Sequence, residues 1–191
     1  MKTITIHLFT ILVFSLTTFG QTNNTSILKI EKQVLKINQD STLQTFKVPA
    51  SEIIKVKRYY DDERIHVLKR KSKIVKIEYQ YFHGGFGTYE FMKIYLRNNK
   101  PILIEKEAKE VSKKYFIDGN LEVIDIFSFS KTYIKNWDKN EFDYMLWNKK
   151  TNQYEHQNGD GFDVMFKGQK FDIIRVLKLS QSDLLEILSK N

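Results

Sequence analysis

The sequence predicts an α+β fold, with an N-terminal helix packed on an antiparallel β-meander and a short C-terminal helix. Three observations carry this. Apolar residues after Ser26 recur at helical spacing, the period changes to two from residue 55 onward, and reversals built from Asp, Asn and Gly separate the two-period runs. The meander should hold about eight to ten strands.

Ile27, Ile30, Val34 and Ile37, with Leu28 and Leu35 beside them, place an amphipathic helix over 26–38 with Ser26 as its N-cap. Residues 42–56 read two ways: Leu43–Val48 alternates like a strand, and Ala50–Ile54 fits a helical turn. Lys55–Tyr60 and Arg64–Lys69 then read as short strands around the acidic turn Asp61-Asp62-Glu63. After a basic turn at Lys71–Lys73 comes the cleanest alternation in the chain. There Val75, Ile77, Tyr79 and Tyr81 share one face and Lys76, Glu78 and Gln80 the other.

His83-Gly84-Gly85-Phe86-Gly87 reverses the chain, and Thr88–Leu96 returns with apolar residues on both sides, as a central covered strand would. Asn98-Asn99 is a tight-turn pair, because Asn tolerates positive φ, and Ile102–Lys106 is the next strand. Tyr115–Ile117 and Leu121–Phe129 form a hairpin around Asp118-Gly119-Asn120. In the ambiguous stretch 131–157 the pattern favours a strand over Phe142–Trp147. Asn158-Gly159-Asp160-Gly161 reads as a turn leading into strands Phe162–Phe166 and Phe171–Leu179. A helix over Asp183–Ser189, capped by Ser180 or Ser182, ends the chain.

The first twenty residues have the layout of a secretory leader: Lys2, an uncharged apolar run from Ile4 to Phe19, then Gly20 before polar Gln21. The run is shorter than the roughly 20 residues a membrane-crossing helix needs, so residues 1–20 read as a cleaved signal. Residues 21–191 then form a single β-rich domain, long enough to bury a core of its own. Localisation follows as exported and soluble, in the periplasm or secreted. The chain has no cysteine, which excludes disulfides, a thiolate metal site, thioether lipidation and a cysteine nucleophile.

The net charge is +8, and much of the excess lies in residues 55–76. That is a solvated sheet surface, or a contact for an anionic partner, lipid headgroups or an acidic envelope glycan; export argues against nucleic acid as partner. Among candidate site residues, His83 stands beside the glycine loop, as a turn residue or a functional one; Tyr79, Tyr81, Tyr89 and Tyr95 are core if buried and, if exposed, could form a platform for a sugar ring or peptide; Lys71 and Lys73 supply positive charge. No histidine pair has metal-ligand spacing, the Asn158–Asp163 oxygens read as a turn and not a calcium loop, and no Gly-x-Ser-x-Gly elbow is present. No cofactor is implied. Glu105 and Glu107 share a strand face, where alternate charges mean a solvated surface; a glycosidase needs two carboxyls across a cleft, which the sequence does not place.

Lys29–Asn38, Tyr59–Arg64, Lys73–Tyr79 and Tyr89–Ile104 together make residues 27–107 resemble a group of small exported bacterial proteins that have an N-terminal helix and a β-meander. The resemblance implies a fold and an exported location, and it carries no catalytic residue. The sequence therefore favours a non-catalytic binding module for an envelope protein, peptide or glycan. The alternatives are a hydrolase acting on an envelope polymer and a structural or assembly factor of the outer membrane.

Overall fold

A computed structural model describes residues 25–56, 62–83, 88–117, 120–157, 160–181, 183 and 185–187. The predicted leader lies outside them, as do the Gly84–Gly87 loop and the tips at 118–119 and 158–159. Two compact units divide between Gln39 and Asp40. In the first, residues 25–38 are helix α1, with Ile30, Val34 and Ile37 as its buried stripe and Leu28 and Leu35 exposed. Ser26 sits inside this helix and not at its cap.

The second unit is a nine-stranded antiparallel sheet with two helices, in the order β1 (Gln44–Lys47), α2 (Ala50–Val56), β2 (Asp62–Arg70), β3 (Lys73–His83), β4 (Thr88–Arg97), β5 (Lys100–Ile117), β6 (Asn120–Asn136), β7 (Glu141–Asn148), β8 (Gln153–Gln157), α3 (Asp160–Ser180) and β9 (Glu186–Ile187). Strands β8 to β1 lie side by side in sequence order, and β9 is added outside β1. Each neighbouring pair from β2 to β8 is thus a local hairpin, the connection that costs least loop entropy, while α2 lies between β1 and β2.

Both readings of 42–56 are realised in turn. β1 forms first, and Pro49 then opens α2 by accepting hydrogen bonds from the Glu52 and Ile53 amides at 3.0 and 3.3 Å. Lys55 and Val56 are accordingly helical, and Asp62 and Glu63 open β2 instead of forming a turn. Strands β3 to β5 follow the predicted alternation apart from register shifts, one between Tyr95 and Leu96 where β4 meets β5 and one between β2 and β3. The register slips between Leu68 and Lys69, so Ile74 and not Val75 joins Ile77, Tyr79 and Tyr81 in the core. Asn98 and Asn99 both take positive φ, at 52° and 61°, as a two-residue turn between β4 and β5 requires.

The C-terminal third departs most from expectation. Residues 162–179 form no strand pair but the body of the 21-residue helix α3, and Asp160–Asp163 are its first turn. As a strand, the odd positions would have aligned Arg175 with Phe171, Ile173 and Leu179. As a helix, Phe166, Ile173, Val176 and Leu179 fall on one buried stripe while Phe171 is 73% exposed. Ser180 is the buried end of α3, its hydroxyl donating to the Val176 carbonyl at 2.8 Å, and Ser182 lies outside the described residues. In place of a helix over Asp183–Ser189, Glu186 and Ile187 pair with Lys47 and Phe46 of β1. The Lys47–Glu186 ion pair at 2.7 Å adds to this edge.

Helix α3 covers one face of the sheet. Its apolar stripe meets Ile65, Val67, Ile77, Ile94 and Ile104 from β2 to β5, which with Phe166 and Ile173 make the main core. No described helix is long and apolar enough to cross a membrane.

Candidate functional site

Residues directly opposite in an antiparallel register share a face, so the floor beneath α3 can be read row by row. One row is Val67, Ile77, Ile94, Ile104 and Thr132, apolar until it reaches β6. The next is Ile65, Tyr79, Met92, Lys106, Ser130 and Leu146, and the one beyond it Glu63, Tyr81, Glu90, Ala108 and Ser128. The floor therefore turns polar in two directions, toward β6 and toward the β3–β4 loop.

Over this polar corner lies a cavity of about 290 Å³. Tyr81, Met92 and Lys106 line it from the centre of the sheet, Ser128 and Ser130 from β6, Tyr144 and Leu146 from β7, and Gln169 and Asp172 from α3. The Gln169 amide donates to the Met92 sulfur at 3.7 Å, so the helix touches the floor here. No histidine is among the described lining residues.

Two carboxylates beside the cavity are engaged by the protein itself. Glu90 accepts a hydrogen bond from the Tyr81 hydroxyl and an ion pair from Lys106 Nζ at 2.5 Å. Glu63, whose side chain is 0% exposed, is gripped by both terminal nitrogens of Arg175 at 2.8 and 3.1 Å. The Tyr79 hydroxyl closes that triangle, donating to Glu63 at 3.0 Å and lying 2.7 Å from Arg175 Nη2. Burial pushes the Arg175 guanidinium down, but the Glu63 hydrogen bonds and the attraction of Tyr79, Glu63 and Asp172 outweigh it, so its pKa is raised. The Tyr79 and Tyr81 rings stack at 4.9 Å and join the two clusters into one wall. A fully paired buried network of this kind fixes the position of α3 over the cavity.

Of the residues singled out from sequence, the structure brings together Tyr79 and Tyr81, which are buried under α3 and form no exposed platform with Tyr89. Tyr89 projects from the opposite face, half-buried, with its ring 4.4 Å from Phe82. Lys71 and Lys73 are exposed at the far end of the β2–β3 hairpin, eight residues and so roughly 25 Å along β3 from Tyr81. The backbone of His83 ends β3 opposite Thr88, and its side chain lies outside the described residues. Glu105 is held by the Tyr95 hydroxyl and by Lys131, at 3.1 and 3.3 Å, on the face away from α3. On that face His156 and Lys135 both contact Asp143. Among the described residues no group of three His, Asp or Glu could hold a metal ion.

Sequence reasoning missed Glu63, Glu90, Lys106, Asp172 and Arg175. Glu90 did leave a signal: it is a charge on the same side of its strand as Met92, Ile94 and Leu96, where an unpaired carboxylate would be costly. Asp172 and Arg175 stand at i and i+3 and become neighbours only in a helix. No family model, curated protein or solved structure matches this chain.

Proposed function

We propose that this protein is an exported, non-catalytic binding module that receives a sugar unit of an envelope glycan in the cavity beneath α3. The carrying observation is the composition of the cavity wall. Ser128, Ser130, Tyr144 and Gln169 offer hydroxyl and amide groups that both donate and accept, Asp172 accepts, and Tyr81, Met92 and Leu146 supply apolar surface. A pyranose presents the same mixture, hydroxyls around its rim and C–H groups on its faces, and small-ligand sites combine apolar walls with a few placed polar groups in this way.

The hydrolase alternative needs two carboxyls across the scissile bond, one of them free to carry a proton. Glu90 and Glu63 are instead committed to Lys106 and Arg175, which favours binding without turnover.

Titration of the purified chain with neutral mono- and disaccharides, followed by calorimetry and amide chemical shifts, tests the reading. Binding should perturb the β6 and α3 amides. Ser130→Ala and Gln169→Ala should each weaken binding by up to about tenfold, the loss of one net hydrogen bond of ~0.5–1.5 kcal/mol. Shifts confined to other parts of the sheet, or hydrolysis of an oligosaccharide by the protein, would defeat it. Sequencing the N-terminus of protein exported from the producing cell tests the predicted cleavage after Gly20.

A further inference from the structure

Strands β2 to β7 run antiparallel and lie in sequence order, so the β2–β3, β4–β5 and β6–β7 hairpin tips stand side by side at one end of the sheet. Neighbouring tips are two strands apart, roughly 10 Å. The first two are closed by cations on both sides. Arg70 is directly opposite Lys73 across the Lys71-Ser72 turn, and Arg97 is directly opposite Lys100 across Asn98-Asn99. We propose that this rim seats the protein on an anionic lipid surface, with headgroup phosphates meeting Lys71, Lys73 and Arg97.

The energetics of the two closures are the first argument. Like charges directly opposite in a strand pair repel, so both closures work against the fold. One member of each pair is matched from elsewhere: Asp40 meets Arg70 Nε at 2.7 Å, and Asp138 meets Lys100 Nζ at 2.5 Å. The other member is not. Among the described residues Lys73 and Arg97 have no carboxylate partner, nor do Lys71 beside them and Lys139 on the third tip, and all are exposed. The register of β3 with β4, Lys76 opposite Tyr95, brings Lys73 level with the Asn98 turn and so beside Arg97. Glu141 stands on the third tip near Lys139, which leaves the first two tips with an excess of positive charge after both ion pairs are made.

Shape is the second, and it selects the partner. Residues 70–73 and 97–100 carry no aromatic or apolar side chain against which a sugar ring could pack. A hairpin tip has no open ladder for the main chain of a peptide. Tight turns, with positive φ at Lys71, Asn98 and Asn99, hold the cations out from the end of the sheet. What the rim offers is charge on a convex edge, and a plane of anionic headgroups matches that without shape-specific contacts.

The polar corner of the cavity beneath α3 lies toward the β3–β4 loop, at the opposite end of β3. A protein seated on the rim therefore turns that corner away from the lipid. Rim and cavity share no residue, so either reading can fail without the other.

The test is cosedimentation of the full chain with vesicles of phosphatidylcholine alone and with vesicles of phosphatidylcholine and phosphatidylglycerol in equal parts. Soluble polygalacturonate and polyglutamate are titrated in parallel. The protein should bind the mixed vesicles more tightly than the neutral ones, and high salt should abolish the difference. The apolar run Ile4–Phe19 is common to both vesicles and to every variant, so it cannot produce that difference. Lys73→Gln and Arg97→Gln should each weaken binding to the mixed vesicles about fivefold, and together about 25-fold. Because each replaced cation faces a like charge, the urea midpoints of both variants should hold or rise. Equal binding to the two vesicles, a difference that survives high salt, or undiminished affinity in the folded double variant would each overturn the proposal. So would a fall in the midpoints, or either soluble polyanion bound as tightly as the mixed vesicles.

Discussion

The two faces of strands β2 to β4 are written by alternate residues of the same short stretch of chain, yet they treat charge in opposite ways. Beneath α3, Glu63 and Glu90 are drawn out of water and each is matched by a cation from a different element, Arg175 from the helix and Lys106 from β5. On the other face Arg64, Glu78 and Lys93 stand in or near solvent, and Glu78 pairs with Lys76 of its own strand. Residue type therefore does not distinguish a charge drawn out of water from one left at the surface. What distinguishes them is which face the register assigns and whether an element covers it. Inside, a charge must be matched in order for the chain to fold; outside, water can do the matching.

Breaking the inner match should have the largest effect. Arg175→Met leaves the Glu63 carboxylate buried without its cation, and the expected loss is about 3–5 kcal/mol of folding stability. Removing both charges, as Glu63→Leu with Arg175→Met, should recover most of that, because an apolar pair of similar volume avoids the desolvation cost. Urea unfolding curves of the two variants check this. A double variant no more stable than the single one would mean that the Tyr79 hydroxyl needs the pair as much as the pair needs burial.

Lys106→Met should cost less, about 1–3 kcal/mol, since Glu90 keeps the Tyr81 hydroxyl as a donor and is partly hydrated. The same change on the outer face, Lys93→Met, should stay within about 0.5 kcal/mol. The pair is the cleanest measure of the difference between the faces, because both lysines are on neighbouring central strands and only the covering differs. Equal losses in the two variants would show that the outer face is covered as well.

Much of this architecture was legible in the sequence, and what was not has a physical cause. Strand β3 and the hairpin of β4 with β5 were readable because Ile77, Tyr79 and Tyr81 alternate strictly and Asn98-Asn99 suits only a tight reversal. The helix α3 was misread because Asn158-Gly159-Asp160-Gly161 imitates a hairpin turn and Gly168 interrupts the pattern, a residue that costs a helix interior about 0.5–1 kcal/mol. What outweighs that cost is the burial of Phe166, Ile173 and Val176 against strands a hundred residues earlier, a contact that no local window contains. The cavity was hidden for the same reason. Ser130, Lys106 and Asp172 carry no motif in common, and they meet only through the register of β5 with β6 and the placing of the helix. Tyr79 and Tyr81 were rightly paired on one face, but which face α3 would close could not be known before α3 itself was.

The smallest effect concerns a second Arg–carboxylate pair, which repeats the comparison at the edge of the sheet. Asp40 meets Arg70 Nε at 2.7 Å, but the guanidinium side chain is 47% exposed, against 12% for Arg175. The Thr42 hydroxyl and amide donate to the same carboxyl at 2.6 and 2.9 Å. Those Thr42 hydrogen bonds first, and Arg70 after them, bring its pKa from 3.8 to about 2. A folded-state value below the unfolded one means that the carboxylate stabilises the fold above pH 3.8, and that this contribution fades as pH falls toward about 2. Asp40→Asn should therefore flatten the acid limb of the stability curve within that window. Circular dichroism of urea unfolding at a series of pH values checks this. A change in slope for Asp40→Asn only well above pH 3.8 would assign the acid sensitivity to another carboxylate, and the exposed Arg70 pair would then be a surface contact with no measurable part in folding.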